Sequence, residues 1–216
     1  MTIKTANIFK RTTLTLVLMM TGFLAMAQGS YNKLIKYVFL EECMIILGID
    51  PGVAIVGFGV IEYSGSKFRT LDYGVITTPA HTDTEKRLAT IYRELKDIIE
   101  KYKPEAMAVE ELFWNTNQKT GIAVAEARGV ILLCAELLGV EIFEYTPLQV
   151  KQSIVGYGRA EKNQVITMVQ MFLNIKEKIR PDDAADALAI AICHAHAGSS
   201  KISKYYNKKQ TYGKVY

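Results

Sequence analysis

The hydrophobic pattern of this chain changes character after its third predicted strand. Before that point, short apolar segments alternate with glycine-containing turns at Pro51-Gly52 and Gly65-Ser66, a pattern typical of strands. The predicted strands are 45–50, about 54–63 and about 67–77. Because their connections are short, the three strands should pair as an antiparallel meander.

Beyond the meander, apolar residues such as Leu88, Ile91 and Leu95 recur at helical spacing, and helices then alternate with short strands. The predicted elements are a helix at 84–102, a strand at 106–110, a helix at about 116–138, a strand at 140–145, a short helix from 146, a helix at about 160–173 and a helix at about 182–197. This order predicts an α/β fold. Its five-stranded mixed sheet has three antiparallel and then two parallel strands, with helices on both faces.

Composition and charge narrow the domain organisation. With 216 residues, of which 50% are apolar, the chain can bury one core, which we place in residues 44–198. Residues 1–43 carry five basic and two acidic residues, and the tail 199–216, which we expect to be disordered, carries five lysines and no acid. The segment between them has 16 basic and 20 acidic residues. It could therefore hold a polyanion only through a local basic patch and metal ions.

The N-terminal segment resembles a secretory signal peptide. Basic residues precede an apolar run from 14 to 24, and Ala-Met-Ala follows at 25–27. This layout conflicts with the position of Met44, which stands like a natural start directly before the first strand. We interpret residues 1–43 as an upstream extension outside the fold, and we expect a cytoplasmic protein.

Four acidic residues carry the candidate chemistry. Asp50 and Glu110 end the first and fourth strands, and parallel pairing of those strands would place the two carboxylates side by side. Asp183 and Asp186 lie one helical turn apart at the start of the alanine-rich last helix, which can approach the sheet closely. Each residue alone could be a cap or a turn residue, and we assign Asp182 as the N-cap. Together they predict an all-carboxylate site for two Mg²⁺ ions, with Mn²⁺ as a substitute.

The same acidic residues belong to an ordered set of motifs that spans residues 44–198. The motifs are Gly48-Ile49-Asp50-Pro51-Gly52, Glu110 with Leu112-Phe113, Ala125-Glu126-Ala127-Arg128-Gly129, Gln149-Val150-Lys151-Gln152 with Gly156 and Gly158, Ala160-Glu161-Lys162, and Asp183-Ala184-Ala185-Asp186-Ala187-Leu188-Ala189. In this order they resemble the RuvC-type crossover junction endodeoxyribonucleases, the bacterial Holliday junction resolvases.

The resemblance implies an RNase H-like fold and a homodimer that makes paired, Mg²⁺-dependent nicks in a four-way DNA junction. It implies catalytic metal-ligand roles for Asp50, Glu110, Asp183 and Asp186, and RuvA and RuvB as partner proteins. It also implies DNA contact by Phe113, Lys151 and Lys162. Apolar residues of the 116–138 helix are candidates for the dimer interface, although core packing would explain them equally well. They are Ile122, Ala123, Ala127, Val130 and Ile131.

Three other functions are compatible with parts of the sequence. A nuclease for RNA–DNA hybrids needs similar carboxylates but no aromatic residue at a crossover. ATP-handling proteins also begin with a strand and an Asp-x-Gly turn, but the second Asp-Gly-Thr motif of that class is missing here. A catalytically silent junction-binding module would gain nothing from retaining four carboxylates. His194 and His196 stand two apart on the last helix, and we interpret them as ordinary helix-end residues.

Overall fold

The computed structural model of the chain describes residues 43–112 and 118–198. Apart from Cys43, the predicted N-terminal extension and the basic tail lie outside these residues, as does Phe113. Five strands form one sheet: β1 Met44–Asp50, β2 Ile55–Ser64, β3 Lys67–Thr77, β4 Ala106–Glu110 and β5 Glu141–Tyr145. Their order across the sheet is β3-β2-β1-β4-β5.

The strand pairing confirms the predicted mixed sheet and its RNase H-like arrangement. β1 and β3 each pair antiparallel with β2, whereas β1, β4 and β5 run parallel to one another. The ends of β1, β4 and β5, at Asp50, Glu110 and Tyr145, therefore lie along one edge, which we call the carboxyl edge. The β2–β3 ladder, in which Ile55 pairs with Thr77, brings the start of β2 and the end of β3 to the same edge.

Five helices cover the sheet: α1 Thr84–Tyr102, α2 Gln118–Leu137, α3 Pro147–Val155, α4 Lys162–Leu173 and α5 Asp182–Gly198. Local sequence explains where α3 begins and ends. Thr146 and Gln149 form a reciprocal capping box at its start, and Gly156 ends it at a φ of 91°. A second box between Glu161 and Gln164 begins α4.

The alternation of side chains along the strands divides the interior into two layers. In β1, Leu47 and Ile49 face a layer that includes Ile91 and Leu95 of α1. Ile46 faces the opposite layer, which is built from residues of α3, α4 and α5. Each face of the sheet is thus covered by its own set of helices, as the sequence predicted.

Glycines in the sheet allow α5 to lie unusually close to it. A Cβ atom added to Gly48 would stand 2.0 Å from the carbonyl oxygen of Ala187, and one added to Gly59 would stand 2.7 Å from a methyl carbon of Leu188. No side chain fits in either space, because heavy atoms at these separations overlap. The close approach brings the start of α5 to the carboxyl edge.

Two details differ from the sequence prediction. Asp182 is the first residue of α5 and follows Pro181, so its assignment as the N-cap is wrong by one position. Ala127 and Ile131 are fully buried in the layer beneath α2, so core packing explains them and they leave the candidate dimer interface. Among the described residues, no helix combines the length and hydrophobicity that a membrane crossing requires.

Candidate active site

Asp50 stands at the end of β1, where α5 comes closest to the sheet. Its partner in the β1–β2 ladder is Gly57, and a Cβ atom added to Gly57 would lie 2.1 Å from the carbonyl oxygen of Asp183. The first turn of α5 therefore packs directly against the strand pair that ends in Asp50. Two of the four candidate carboxylates are brought together by this one contact.

Glu110 and Asp186 line one cavity together with two lysines. The cavity has a volume of about 210 Å³ and is open to solvent, and Lys151 of α3 and Lys162 of α4 form part of its wall. Its apolar lining comes from Pro147, Val150, Val165, Ala189 and Ile190. A larger depression of about 340 Å³ lies at the opposite edge of the sheet, around Lys103 and Gly139, and none of the candidate site residues lines it.

The electrostatics of Asp50 show that the acidic residues share one neighbourhood. Burial, followed by the negative charges of Glu110, Asp186 and Asp183, raises the pKa of Asp50 from 3.8 to about 7. The positive charge of Lys162 opposes this shift. Four acidic side chains from three separate elements are thus close enough to influence one another.

Lysines partly compensate the other carboxylates. Burial raises the pKa of Asp186, although the ammonium of Lys162 donates a hydrogen bond of 3.0 Å to its Oδ2 atom. Burial and the charge of Asp186 raise the pKa of Glu110, while Lys151 and Lys162 act in the opposite direction. The Nζ atom of Lys162 also lies 3.7 Å from Oδ2 of Asp182. Both lysines predicted from the sequence therefore stand beside the carboxylates.

The donor set fits a hard divalent cation, because carboxylate oxygens are the ligands that Mg²⁺ and Mn²⁺ prefer. Burial and then mutual repulsion raise the pKa of Asp50, and a bound cation would relieve both costs of its ionised form. Within 43–112 and 118–198, however, no three His, Cys, Asp or Glu side chains stand in a geometry that could already hold a metal ion. The backbone brings the carboxylates into one neighbourhood, and their side chains would have to converge further around a cation.

The remaining sequence assignments can be placed only in part. Phe113, and Trp114 beside it, lie outside the described residues. His194 is buried rather than exposed at a helix end, and its Nδ1 atom forms a 2.8 Å hydrogen bond with Tyr145 Oη. Burial lowers the pKa of His194 to about 4, so the ring is neutral at physiological pH. No local sequence pattern predicts this bond, which connects the end of β5 to α5, because the two residues are 49 positions apart.

Comparisons with known proteins agree with this fold. The family model for the crossover junction endodeoxyribonuclease RuvC matches residues 46–194. The RuvC protein of Alkaliphilus oremlandii is 60% identical over 156 residues, which are 72% of this chain and 95% of the relative. The RuvC protein of Clostridioides difficile is 56% identical over 161 residues, which are 74% of this chain and 94% of the relative.

A solved structure extends the likeness to three dimensions. The structure of Thermus thermophilus RuvC in complex with a Holliday junction substrate has a TM-score of 0.69 and 37% sequence identity. The match covers 72% of this chain and 94% of the Thermus chain. The family model and the close relatives thus cover the same part of the chain that forms the sheet and its helices. The chain belongs to the RuvC family of crossover junction endodeoxyribonucleases.

Proposed function

We propose that this protein is an endonuclease that resolves four-way DNA junctions in homologous recombination and repair. The observation that carries the proposal is the meeting of acidic residues from β1, β4 and α5 at the carboxyl edge, with Lys151 and Lys162 beside them. Its membership of the RuvC family, and the Holliday junction substrate bound by the Thermus relative, support the choice of DNA junctions over RNA–DNA hybrids.

Asp50, Glu110, Asp183 and Asp186 are the proposed catalytic residues and metal ligands. These side chains would hold two Mg²⁺ ions, which would supply Lewis-acid activation of a water and charge stabilisation at the 3′ oxygen. Attack of that water on the scissile phosphate breaks the bond to the 3′ oxygen, which takes up a proton, so the products carry 5′-phosphate and 3′-hydroxyl ends. The chain itself supplies half-buried, mutually repelling carboxylates, and partial burial strengthens their electrostatic attraction to a cation. Asp50 is the proposed central ligand of the set, because the other three carboxylates all act on it.

The lysines have a different proposed role, which is to hold the phosphate backbone close to the carboxylates. Without positive groups, the acidic edge would repel a polyanion. Lys151 and Lys162 stand in the wall of the same cavity as Glu110 and Asp186, where they can contact phosphates on either side of the cleaved bond. Phe113 follows the end of β4 by three positions, and we propose that it stacks on an unpaired base at the crossover.

A homodimer is the proposed working form, because a four-way junction is close to two-fold symmetric and paired nicks need two sites related by the same symmetry. The exposed side of α2 offers a surface for a second copy. Ile122, Leu133 and Leu137 are 56%, 54% and 64% exposed along it, and a Cβ atom added to Gly129 would meet nothing within 4 Å. Sedimentation equilibrium tests the proposal, and a monomer throughout the micromolar range would contradict it.

A cytoplasmic location and cooperation with RuvA and RuvB complete the proposal. Both rest on membership of the family, and the segment with signal-like character lies outside the described residues. Fractionation of cells that express the whole chain measures the location. Recovery of a processed form outside the cytoplasm would contradict it.

Asp50→Asn tests the proposed function. The variant should lower cleavage of a synthetic mobile junction by more than about 10³-fold in Mg²⁺, because a neutral amide cannot replace a shared carboxylate ligand. Its affinity for the junction in EDTA should stay within about twofold of wild type, because no phosphate contact is lost. The same gel carries an RNA–DNA hybrid duplex. Robust nicking by the variant, or faster wild-type cleavage of the hybrid than of the junction, would refute the proposal.

A further inference from the structure

Thr78 is one of only two buried polar residues in the described part of the chain, and the other is His194. It follows the last residue of β3 at the carboxyl edge. Its backbone N–H donates to the carbonyl oxygen of Ala54 (3.0 Å), and its hydroxyl donates to the carbonyl oxygen of Val53 (2.6 Å). Thr78 therefore binds two successive carbonyls of the loop that connects β1 to β2, one through its hydroxyl and one through its backbone N–H.

Arg87 completes the arrangement from the other side. Its Nε atom donates to the hydroxyl oxygen of Thr78 at 2.8 Å, so a relay runs from α1 through Thr78 to the loop. Arg87 lies in the first turn of α1, where the partial positive charge of the helix end disfavours a cation. The hydrogen bond to Thr78 offsets the cost of this position.

The loop that receives the relay begins at the residue after Asp50. It spans 51–54 and turns tightly: a Cβ atom added to Gly52 would lie 2.1 Å from the carbonyl oxygen of Ile55. A turn with so little free space passes a displacement at Val53 or Ala54 directly to its ends. One of those ends is the backbone of Asp50, a proposed metal ligand.

The path from Arg87 to Asp50 that the structure shows runs through the loop backbone. The largest charge effects on Asp50 come from Glu110, Asp186, Asp183 and Lys162, and Arg87 is not among them.

We propose that Thr78 and Arg87 are positioning residues for cleavage, which hold the 51–54 loop and thereby set the place of Asp50 relative to Glu110 and α5. The inference rests on the proposed function, since Asp50 is a catalytic residue only if the protein is a metal-dependent nuclease. In this role Thr78 and Arg87 act on the site without contacting DNA or metal.

The principal test is Thr78→Val, which keeps the side-chain shape and removes the hydroxyl. Single-turnover cleavage of a mobile junction at saturating enzyme and Mg²⁺ should fall about 10- to 100-fold, because small displacements of a catalytic group have effects of this size. Thr78→Ser restores the hydroxyl and should recover cleavage to within about threefold of wild type. Junction affinity in EDTA should change less than about twofold in both variants.

A matched pair of arginine variants tests the other half of the relay. Arg93, on the exposed side of α1, also donates to a threonine hydroxyl, that of Thr90 at 3.3 Å. Arg87→Met should slow cleavage in the same way as Thr78→Val, whereas Arg93→Met should leave it unchanged. If Arg87 instead touched a DNA phosphate, Arg87→Met would weaken junction binding and reduce its salt dependence while saturating cleavage stayed normal, and that result would overturn the positioning role.

Hydrogen exchange of the metal-free protein supplies a readout that does not depend on activity. Thr78→Val and Arg87→Met should speed exchange of the amides of residues 52–56, and Arg93→Met should not. If the wild-type protein fails to cleave junctions, the proposed function fails, while faster exchange limited to this loop would still support the relay. Unchanged loop exchange, or wild-type cleavage by a folded Thr78→Val protein, would overturn the inference.

Discussion

The two faces of the sheet are covered in different ways. On the α1–α2 face, large apolar side chains such as Leu47, Ile49 and Leu95 are fully buried and fill the layer. On the α5 face, Gly48 and Gly57 lie directly against the backbone of α5, and much of the helix surface is alanine. Both faces bury large side chains, but the α5 face also brings backbones close enough to assemble the carboxylates.

This difference separates the packing that only stabilises the fold, on the α1–α2 face, from the packing that also assembles the site, on the α5 face. Burial of large apolar side chains stabilises the fold by an amount that grows with the area removed from water. Close contact of small residues buries less area per residue. The site that this contact assembles also places Asp50 among like charges, so the α5 face supports the site at some expense of stability. Substitutions on the two faces should therefore have separable effects.

The largest effect is expected from Gly57→Ala on the α5 face. The new Cβ atom would lie 2.1 Å from the carbonyl oxygen of Asp183, so α5 must move away from the strand that ends in Asp50. Junction cleavage should fall by more than about 10²-fold, and the free energy of unfolding should fall by about 1–3 kcal/mol. Single-turnover cleavage and denaturant unfolding measure the two effects. Normal cleavage by the variant would show that close packing at Gly57 is unnecessary for the site.

Leu95→Ala on the α1–α2 face should change stability alone. Leu95 is fully buried, so its truncation should lower the free energy of unfolding by about 2–5 kcal/mol. At a temperature at which the variant is fully folded, its saturating cleavage rate should stay within about threefold of wild type, because no element of the carboxyl edge moves. A cleavage defect as large as that of Gly57→Ala would remove the distinction between the faces.

A smaller effect should appear as a pH dependence of stability in the metal-free protein. Folded Asp50 keeps its proton up to about pH 7, whereas an unfolded aspartate loses it near pH 3.8. Between these values the folded state binds more protons, so the free energy of unfolding falls as pH rises. By pH 8, the ionisation of Asp50 should have lowered the free energy of unfolding by about 2–4 kcal/mol. Raised pKa values of Glu110 and Asp186 act in the same direction.

Thermal unfolding in EDTA across this pH range measures the effect, with Asp50→Asn as the control. The variant should be more stable than wild type above pH 7 and should show a shallower decline. Addition of Mg²⁺ should stabilise the wild-type protein most at high pH, where the carboxylates are ionised, and should stabilise the variant less. Equal slopes for the two proteins would show that folding does not raise the pKa of Asp50.

The sheet and helices follow closely from local sequence patterns. The predicted bounds of β3, α1 and β4 agree with the structure, because Pro104 and Gly65 interrupt strong hydrophobic periodicities on either side. The position of Asp182 was wrong by one residue, since a helix start next to several acidic residues offers more than one possible cap. Local signals of this kind predict the presence of an element more accurately than they predict its terminal residue.

Side-chain networks were less predictable. Periodicity identified α1 and α2 but could not show that Ala127 and Ile131 face the core while Ile122 faces solvent. Nor did any local pattern connect Thr78 with Val53 and Arg87, because the hydroxyl joins residues 25 and 9 positions away. An arginine in the first turn of a helix was the one sequence signal that could have drawn attention to the relay.

Sequence alone determined the elements, their order and the acidic residues at the ends of β1, β4 and the start of α5, because these depend on periodicity and turn chemistry over a few neighbouring positions. Only the tertiary structure decided how near the carboxylates come to one another and how close the two predicted lysines lie to them. It also decided which loop contacts hold Asp50. Those features depend on backbone approach between elements more than 100 residues apart, such as Gly57 and Asp183, and such distances arise only when the two layers pack.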